Sequence, residues 1–214
     1  MRTVGRAALA VACLTALTYG LHAQEEYSTW SAKQATAIGT GAYVQGRVGG
    51  RFDRRVLKTE RAQNYKLAAT WITPSVIRAS ARLIQLAERL SDQQTAALIA
   101  EAETQDGTVV MVEIDPREGS GVIPNDWAAF LEPITNGARG KPVRGVDTPK
   151  LRDVKALAGV LRRNYDYDRF WVVFPLKHED GEAVLPGNFS EAQLTVRIYD
   201  REGTVRWPAQ VMRR

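Results

Sequence analysis

The sequence of 214 residues predicts an α+β fold: an antiparallel β-sheet with an inserted helical pair and a flexible N-terminal arm. Two consecutive amphipathic helical patterns lie between Pro74 and Asp106, and segments rich in β-branched and aromatic residues lie on both sides of them. We therefore expect a signal peptide over residues 1–23, the arm over 24–60 and a single α+β domain over 61–214. We also expect part of the sheet to form a sandwich-like layer.

The first 23 residues have the layout of a secretory signal peptide. Arg2 and Arg6 precede an apolar run over residues 7–17, and smaller, more polar residues end at Ala23. The apolar run is shorter than the roughly 20 residues that cross a bilayer. We expect cleavage near Ala23 and a secreted or periplasmic protein. The alternative is a lipid anchor at Cys13, because the four residues that end there resemble a bacterial lipoprotein cleavage box.

The composition of the mature chain excludes several kinds of site. Cys13 is the only cysteine and would leave with the signal peptide, and His178 would be the only remaining histidine. Disulfides, zinc sites built from Cys and His, and thiol nucleophiles are therefore excluded, and we expect no cofactor. Loss of Arg2 and Arg6 lowers the formal net charge from +5 to +3, a mild excess that does not indicate nucleic acid binding.

The segment from Gln24 to about Glu60 has few apolar residues in either the helical or the strand period. We interpret it as a flexible arm with one edge strand near residues 43–48, because little of it could offset the entropy of ordering. It contains the densest basic run of the chain. The alternatives for this run are a solvated linker and weak contact with an anionic surface, where each basic residue contributes about 1 kcal/mol. The run comprises Arg47, Arg51, Arg54, Arg55 and Lys58.

The helical pair has clear start signals. Residues 65–72 read as a strand that stops at Thr73-Pro74, an N-cap followed by proline at the first helical position. The first helix has a wide apolar face and an opposite polar stripe that we expect to face solvent: Arg78, Arg82, Gln85 and Arg89. Ser91 with Gln94 forms a capping box that starts the second helix.

Further elements follow the helical pair. Residues 108–115 read as a strand that ends at Pro116, and residues 125–131 as a short helix. Residues 149–163 fit either a helix or a strand, and the Thr148-Pro149 start favours the helix. The last third predicts strands by their aromatic and β-branched content, joined at the turns "HEDGE" and "DREG".

Carboxylates are the remaining candidates for catalysis. Glu113 and Asp115 are two residues apart on a predicted strand, so they share one face, and Asp126 follows after a loop. Such a pair fits glycoside hydrolysis if the carboxyl groups lie about 5 to 9 Å apart. The alternative role of Asp126 is structural, in the first turn of the predicted short helix, where the helix dipole stabilises an acid. A serine hydrolase is not indicated, because the G-x-S-x-G turn is absent around Ser120.

The stretch "NYDYDRFW" raises the possibility of a cation site. Asn164, Asp166 and Asp168 match the first three ligand positions of a calcium loop. The sixth position is Arg169 instead of glycine, and the twelfth is Pro175 instead of glutamate. We therefore predict no regular metal site, with a non-standard site at Asp166 and Asp168 as the alternative.

Aromatic residues are the other functional candidates. Trp127, Tyr165, Tyr167, Trp171 and Trp207 fit a stacking platform for sugars, an apolar groove for a peptide, or a buried core. We take the first four as candidate ligand-binding residues. The sequence thus predicts a non-enzymatic binding or assembly protein of the bacterial cell envelope, with an envelope protein or polysaccharide as its partner. The alternative is a carboxylate-dependent hydrolase acting on polysaccharide.

Overall fold

The computed structural model describes residues 27–47, 49–50, 65–116, 125–158, 168–199 and 201–212. They form helices and two antiparallel sheets, which confirms the α+β class. In chain order the elements are α1 (Ala32–Gln45), β1 (Gly49–Gly50), β2 (Tyr65–Trp71), α2 (Pro74–Glu88), α3 (Asp92–Glu103), β3 (Thr108–Pro116), β4 (Trp127–Thr135), β5 (Ala138–Arg139), β6 (Val143–Arg144), β7 (Val146–Asp147), two 3-10 turns (Pro149–Asp153 and Lys155–Leu157), β8 (Asp168–Phe174), β9 (Glu191–Ile198), β10 (Arg201–Pro208) and α4 (Ala209–Met212).

The strands form a four-stranded and a six-stranded sheet. The four-stranded sheet has the order β2-β3-β8-β7, and the six-stranded sheet has the order β1-β10-β9-β4-β5, with β6 also paired to β4. Every pairing between described strands is antiparallel. The β9–β10 hairpin was predicted, and its register begins with Ile198 opposite Arg201.

The two sheets pack face to face, with the helices on the outer face of the four-stranded sheet. Val110, Val112 and Ile114 of β3 share one buried cluster with Leu194 and Val196 of β9. A second buried cluster lies on the other face of β3, where Met111 and Val109 join apolar residues of α2 and α3. The predicted sandwich-like layer is thus present, and β3 contributes apolar side chains to both faces because both are covered.

A short segment crosses between the sheets at each lateral edge of the sandwich. At one edge Gly46 accepts a backbone hydrogen bond from Ala69 of β2, and Gly49–Gly50 then pairs with β10. At the other edge β6 pairs with β4, the Gly145 N–H donates to Ala129 O at 2.9 Å, and β7 pairs with β8. A Cβ on Gly46 would lie 1.7 Å from Ala69 O, so this crossing requires glycine.

The structure corrects the expectation of an irregular conformation in the described part of residues 24–60. Residues 32–45 form helix α1, and the edge strand expected over 43–48 lies later, at Gly49–Gly50. The Ser31 and Gln34 side chains form a capping box at the start of α1. The inward stripe of α1 consists of Ala35, Gly39 and Tyr43. Two of these three side chains are too small to produce an apolar period in the sequence, which explains the missed helix.

The polar stripe of α2 was also expected to face solvent, and part of it is covered. Gln85 is 6% exposed. The Arg82 guanidinium donates through Nε to Trp30 O at 2.8 Å and through Nη1 to Gln85 Oε1 at 2.6 Å. Burial and the nearby negative charge of Asp92 raise the pKa of Tyr27, which packs in the same helical core. The stripe therefore anchors the segment that leads into α1.

Three further expectations are corrected or refined. The prediction of a short helix over 125–131 is wrong, because Trp127 begins strand β4. Strand β4 pairs with β9 on one side and with β5 and β6 on the other. These pairings override the helix propensity of the alanines and the leucine in this segment. Over 149–157 the chain is helical, as favoured, but in 3-10 turns. The "HEDGE" turn closes a local bridge between Lys177 and Ala183. It does not make a hairpin of β8 and β9, which lie in different sheets.

Loss of the cap of α1 provides a test of this helix. We expect Ser31→Ala to lower the free energy of unfolding by about 1 kcal/mol in urea titrations, because an N–H at the helix start loses its acceptor. Ser31→Asp should keep near wild-type stability, since aspartate caps equally well. Equal stability of all three proteins would mean that the capped start of α1 contributes nothing to the fold.

Candidate functional site: a groove beside the first helix

Of the three candidate carboxylates, the structure places Glu113 and Asp115 on one face of β3 and Asp126 before a strand of the other sheet. Glu113 is 6% exposed, faces the helices and accepts a hydrogen bond from Arg169 Nε at 3.2 Å. Asp115 shares its face of β3, as predicted, and is partly exposed. Asp126 lies exposed in front of β4, in the other sheet. Glu113 therefore has an ion-pair partner and points away from the sheet that Asp126 precedes.

A raised carboxyl pKa occurs elsewhere. Burial raises the pKa of Asp147, while the Thr148 backbone N–H and the charge of Arg152 lower it. Asp147 lies on the edge strand β7, at the opposite edge of the four-stranded sheet from β2. It thus lies apart from the three carboxylates that the sequence suggested.

The metal and basic candidates lie largely outside the described residues. Asp168 is exposed at the start of β8, whereas Asp166, Tyr165 and Tyr167 fall outside the described part of the chain. Within that part, no cluster of three or more His, Cys, Asp or Glu side chains is arranged to hold a metal ion. Among the basic residues Arg47 is described and exposed. The other basic residues of the run lie outside the described ranges, namely Arg51, Arg54, Arg55 and Lys58. Ala23 and Cys13 also lie outside them.

The two tryptophans of the predicted platform lie on opposite faces of the four-stranded sheet. Trp171 is 3% exposed in the helical core, and its indole N–H donates to Leu157 O at 2.9 Å. Trp127 packs from the six-stranded sheet against Phe170, with ring centroids 4.7 Å apart. Neither arrangement presents a ring face to a shared ligand, so these two residues do not form one platform.

A groove of about 460 Å³ lies between α1 and one end of the sandwich. Its wall on one side is formed by α1, and its floor is formed by one tryptophan from each sheet and by α4. The main contributors are Ile38, Gly41, Gln45, Trp71, Trp207 and Val211. The volume falls within the range of about 300–1,000 Å³ that is typical of ligand sites.

The Trp71–Trp207 pair fixes the floor of the groove. The rings meet edge to face, with centroids 5.2 Å apart and an interplanar angle of 77°. Trp71 is 7% exposed and Trp207 is 1% exposed, so their ring faces are largely covered. A rigid apolar floor results, because each ring blocks the rotation of the other.

The indole N–H groups of Trp71 and Trp207 lack an acceptor among the described residues. In contrast to Trp171, neither Trp71 nor Trp207 makes a side-chain hydrogen bond within the described residues. Among those residues, Thr70 Oγ1 is the buried side-chain polar atom that lacks a partner.

Gly41 is a helix-interior glycine with no packing role in the described part of the protein. A Cβ built at this position meets nothing within 4 Å. Glycine in a helix interior costs roughly 0.5–1 kcal/mol relative to alanine, and here no contact within the fold offsets it. The backbone of α1 is thereby left bare along the groove. A ligand can approach it closely.

Only part of this groove is predictable from the sequence. Trp207 was considered among the aromatic candidates, but Trp71 was read as an ordinary strand residue. Gly41 lies in the segment that the sequence predicts to be a flexible arm. The sequence contains one indication that Gly41 lies in a helix. Gly41 falls within a run of helix-compatible residues that follows the Ser31–Gln34 capping box.

No family model matches the chain, and comparison with curated proteins and with solved structures yields no significant match. None of the described helices combines the length and the apolar character needed to span a membrane.

Proposed function

We propose that this protein is a non-enzymatic binding or assembly protein of the bacterial cell envelope and that the groove beside α1 is its ligand site. The observation that carries the proposal is the combination of a preformed apolar floor, Trp71 with Trp207, and a bare helix backbone at Gly41. Location in the envelope rests on the signal-peptide layout of residues 1–23.

A binding role accounts for these features better than a hydrolase does. No carboxylate lies among the described residues that line the groove, and Glu113 is buried in an ion pair with Arg169. A general acid needs access to its substrate and a proton to give. The groove instead offers apolar area and hydrogen-bond donors, which suit recognition.

A charge placed in the groove tests this role. We expect Ala37→Lys to weaken binding of the uncharged apolar dye Nile red about ten-fold, measured by fluorescence titration, because an ammonium would compete with an apolar group. Ala97→Lys is the matched control, since Ala97 is an exposed alanine on α3. If both variants bind the dye as the wild type does, the groove is not the apolar binding site.

A further inference from the structure

We propose that the outward face of the six-stranded sheet binds an acidic polysaccharide through the carboxylate groups of its sugar rings. This arginine face is defined by guanidinium groups from four different strands, those of Arg139, Arg144, Arg197 and Arg206. None of these arginines lines the groove, so binding at either surface can occur without the other.

Two of the arginines lie beside Phe130 on this face. Arg144 of β6 is paired with Phe130 of β4, and paired residues of antiparallel strands project to the same face. The Arg197 guanidinium lies over the Phe130 ring, 5.4 Å from its centroid. It also donates to Glu202 Oε1, at 2.8 Å through Nε and at 2.6 Å through Nη2. These contacts orient the guanidinium of Arg197, and the Nη1 donors make no hydrogen bond to a described residue.

The other two arginines belong to a polar ladder across the sheet. Gln193 donates to Glu132 Oε1 at 2.7 Å and accepts from Arg206 Nε at 2.8 Å. Arg139 Nη1 lies 3.6 Å from the same Glu132 oxygen. Gln193 and Glu132 are buried, whereas the side chains of Arg139 and Arg206 are 60% and 52% exposed. The groups of this ladder that a ligand can reach are therefore the guanidinium groups.

The accessible charge of the arginine face is mainly positive. Of its glutamates, Glu132 is buried, and Glu191 and Glu202 each pair with an arginine that is about half exposed. Arg144 is exposed and makes no ion pair with a described residue. Exposed ion pairs contribute only about 0.2–1 kcal/mol each, so a ligand carboxylate can compete for these arginines.

The distribution of the arginines suits a linear anion more than a single small one. Arg139 lies on β5 and Arg206 on β10, with β4 and β9 between them. Three steps of about 4.8 Å between neighbouring strands separate their backbones by roughly 14 Å. A chain of a few sugar rings spans this distance. Each guanidinium presents a planar fork that binds a carboxylate through two parallel hydrogen bonds.

A polar polymer fits this face better than an acidic protein or a membrane. Protein interfaces have an apolar core, and membrane-binding faces insert apolar side chains. The exposed large apolar residues of the described chain all lie elsewhere: Val44, Leu86, Val146, Leu176 and Tyr199. Instead, Thr195 and Thr204 are paired between β9 and β10 and add hydroxyl groups to the row that contains Phe130. Such groups can bond the hydroxyls of a sugar.

Calorimetric titration with three probes tests the ligand class. The probes are tetragalacturonate, uncharged maltotetraose and the peptide tetraglutamate. We expect tetragalacturonate to bind and the other two to show no measurable binding. Raising the NaCl concentration from about 0.02 M to about 0.3 M should weaken the binding, because salt screens exposed charges.

Substitutions on the face locate the site. Arg144→Gln and Arg197→Gln should each weaken tetragalacturonate binding about five-fold, because each removes a fork for a carboxylate. Glu202→Gln should strengthen it about two-fold, because Arg197 loses a competing carboxylate. Lys33→Gln removes the same charge from an exposed position on α1 and should leave binding unchanged. Thermal melts show whether the variants fold, and Arg144→Gln removes no ion pair between described residues.

The outcomes separate this surface from the groove. Absence of tetragalacturonate binding, or tighter binding of tetraglutamate or maltotetraose, would overturn the acidic polysaccharide as the ligand. Equal effects of Lys33→Gln and Arg144→Gln would overturn the arginine face as the site. Nile red binding and its response to Ala37→Lys report on the groove alone, so a failure at one surface is distinguishable from a failure at the other.

Discussion

Gly46→Ala is expected to lower the free energy of unfolding by roughly 3 kcal/mol or more, the largest effect of any substitution considered for this fold. The new Cβ would lie 1.7 Å from Ala69 O and 2.6 Å from the carbonyl carbon, and both are backbone atoms that cannot rotate away. Relief requires Gly46 to separate from β2. That movement would break the 2.6 Å hydrogen bond from the Ala69 N–H to Gly46 O.

Urea denaturation of Gly46→Ala beside Gly41→Ala measures this effect with an internal control. The two glycines lie five residues apart, but a Cβ on Gly41 meets nothing within 4 Å. Gly41→Ala should therefore raise stability by roughly 0.5–1 kcal/mol through helix propensity. Opposite signs for the two substitutions are the expected result, and a similar stability for both would contradict the close crossing at Gly46.

Glu113→Gln is expected to lower the free energy of unfolding by roughly 2–4 kcal/mol. The side chains of Glu113 and Arg169 are 7% and 22% exposed, and their ion pair joins β3 to β8. Glutamine has nearly the same shape but no charge, so the partly buried guanidinium of Arg169 would lose the negative charge of Glu113. The expected loss reflects the weaker compensation of a partly buried charge more than the value of the contact itself.

Glu202→Gln provides the comparison for an exposed ion pair. Glu202 pairs with Arg197 at 2.6 Å, but the two side chains are 48% and 53% exposed. Water screens this pair, so its removal should cost about 0.2–1 kcal/mol. Chemical denaturation of both variants checks the difference. Equal losses would show that Glu113 is not held in a buried pair and would reopen its reading as a catalytic acid.

The sequence was most informative where local chemistry and periodicity agree. The Thr73-Pro74 start and the Ser91–Gln94 capping box give α2 and α3 their first residues. Likewise the alternation of Leu194, Val196 and Ile198 with exposed Arg197 and Tyr199 identifies the buried face of β9. These patterns are predictable because a single chain segment contains the whole pattern.

Other elements depend on contacts between distant segments. Helix α1 buries Ala35 and Gly39, whose small side chains give no apolar period, and it is held partly by Arg82 of α2. Strand β4 contains residues that favour a helix in isolation, and pairing on both of its sides decides its conformation. The sequence contains no local mark of either contact.

The groove was the least predictable feature, because three separate parts of the chain form it. Its floor joins Trp71 of β2 to Trp207 of β10, which are 136 positions apart in the sequence and meet only when the two sheets pack. The position of Gly41 beside the groove depends on the same packing of the two sheets. In the sequence it is one of several glycines, whereas in the fold it faces open space beside that floor.

The most direct test of the binding groove is the affinity of Gly41→Leu for Nile red, measured together with its thermal stability. Leucine at this position projects into open space within the groove and favours the helix, so the protein should melt no lower than the wild type. Dye binding should fall at least about ten-fold, because the side chain occupies the volume that the ligand needs. Gly41→Ala should keep most of the affinity. A stably folded Gly41→Leu protein that binds the dye as tightly as the wild type would contradict the groove as the ligand site.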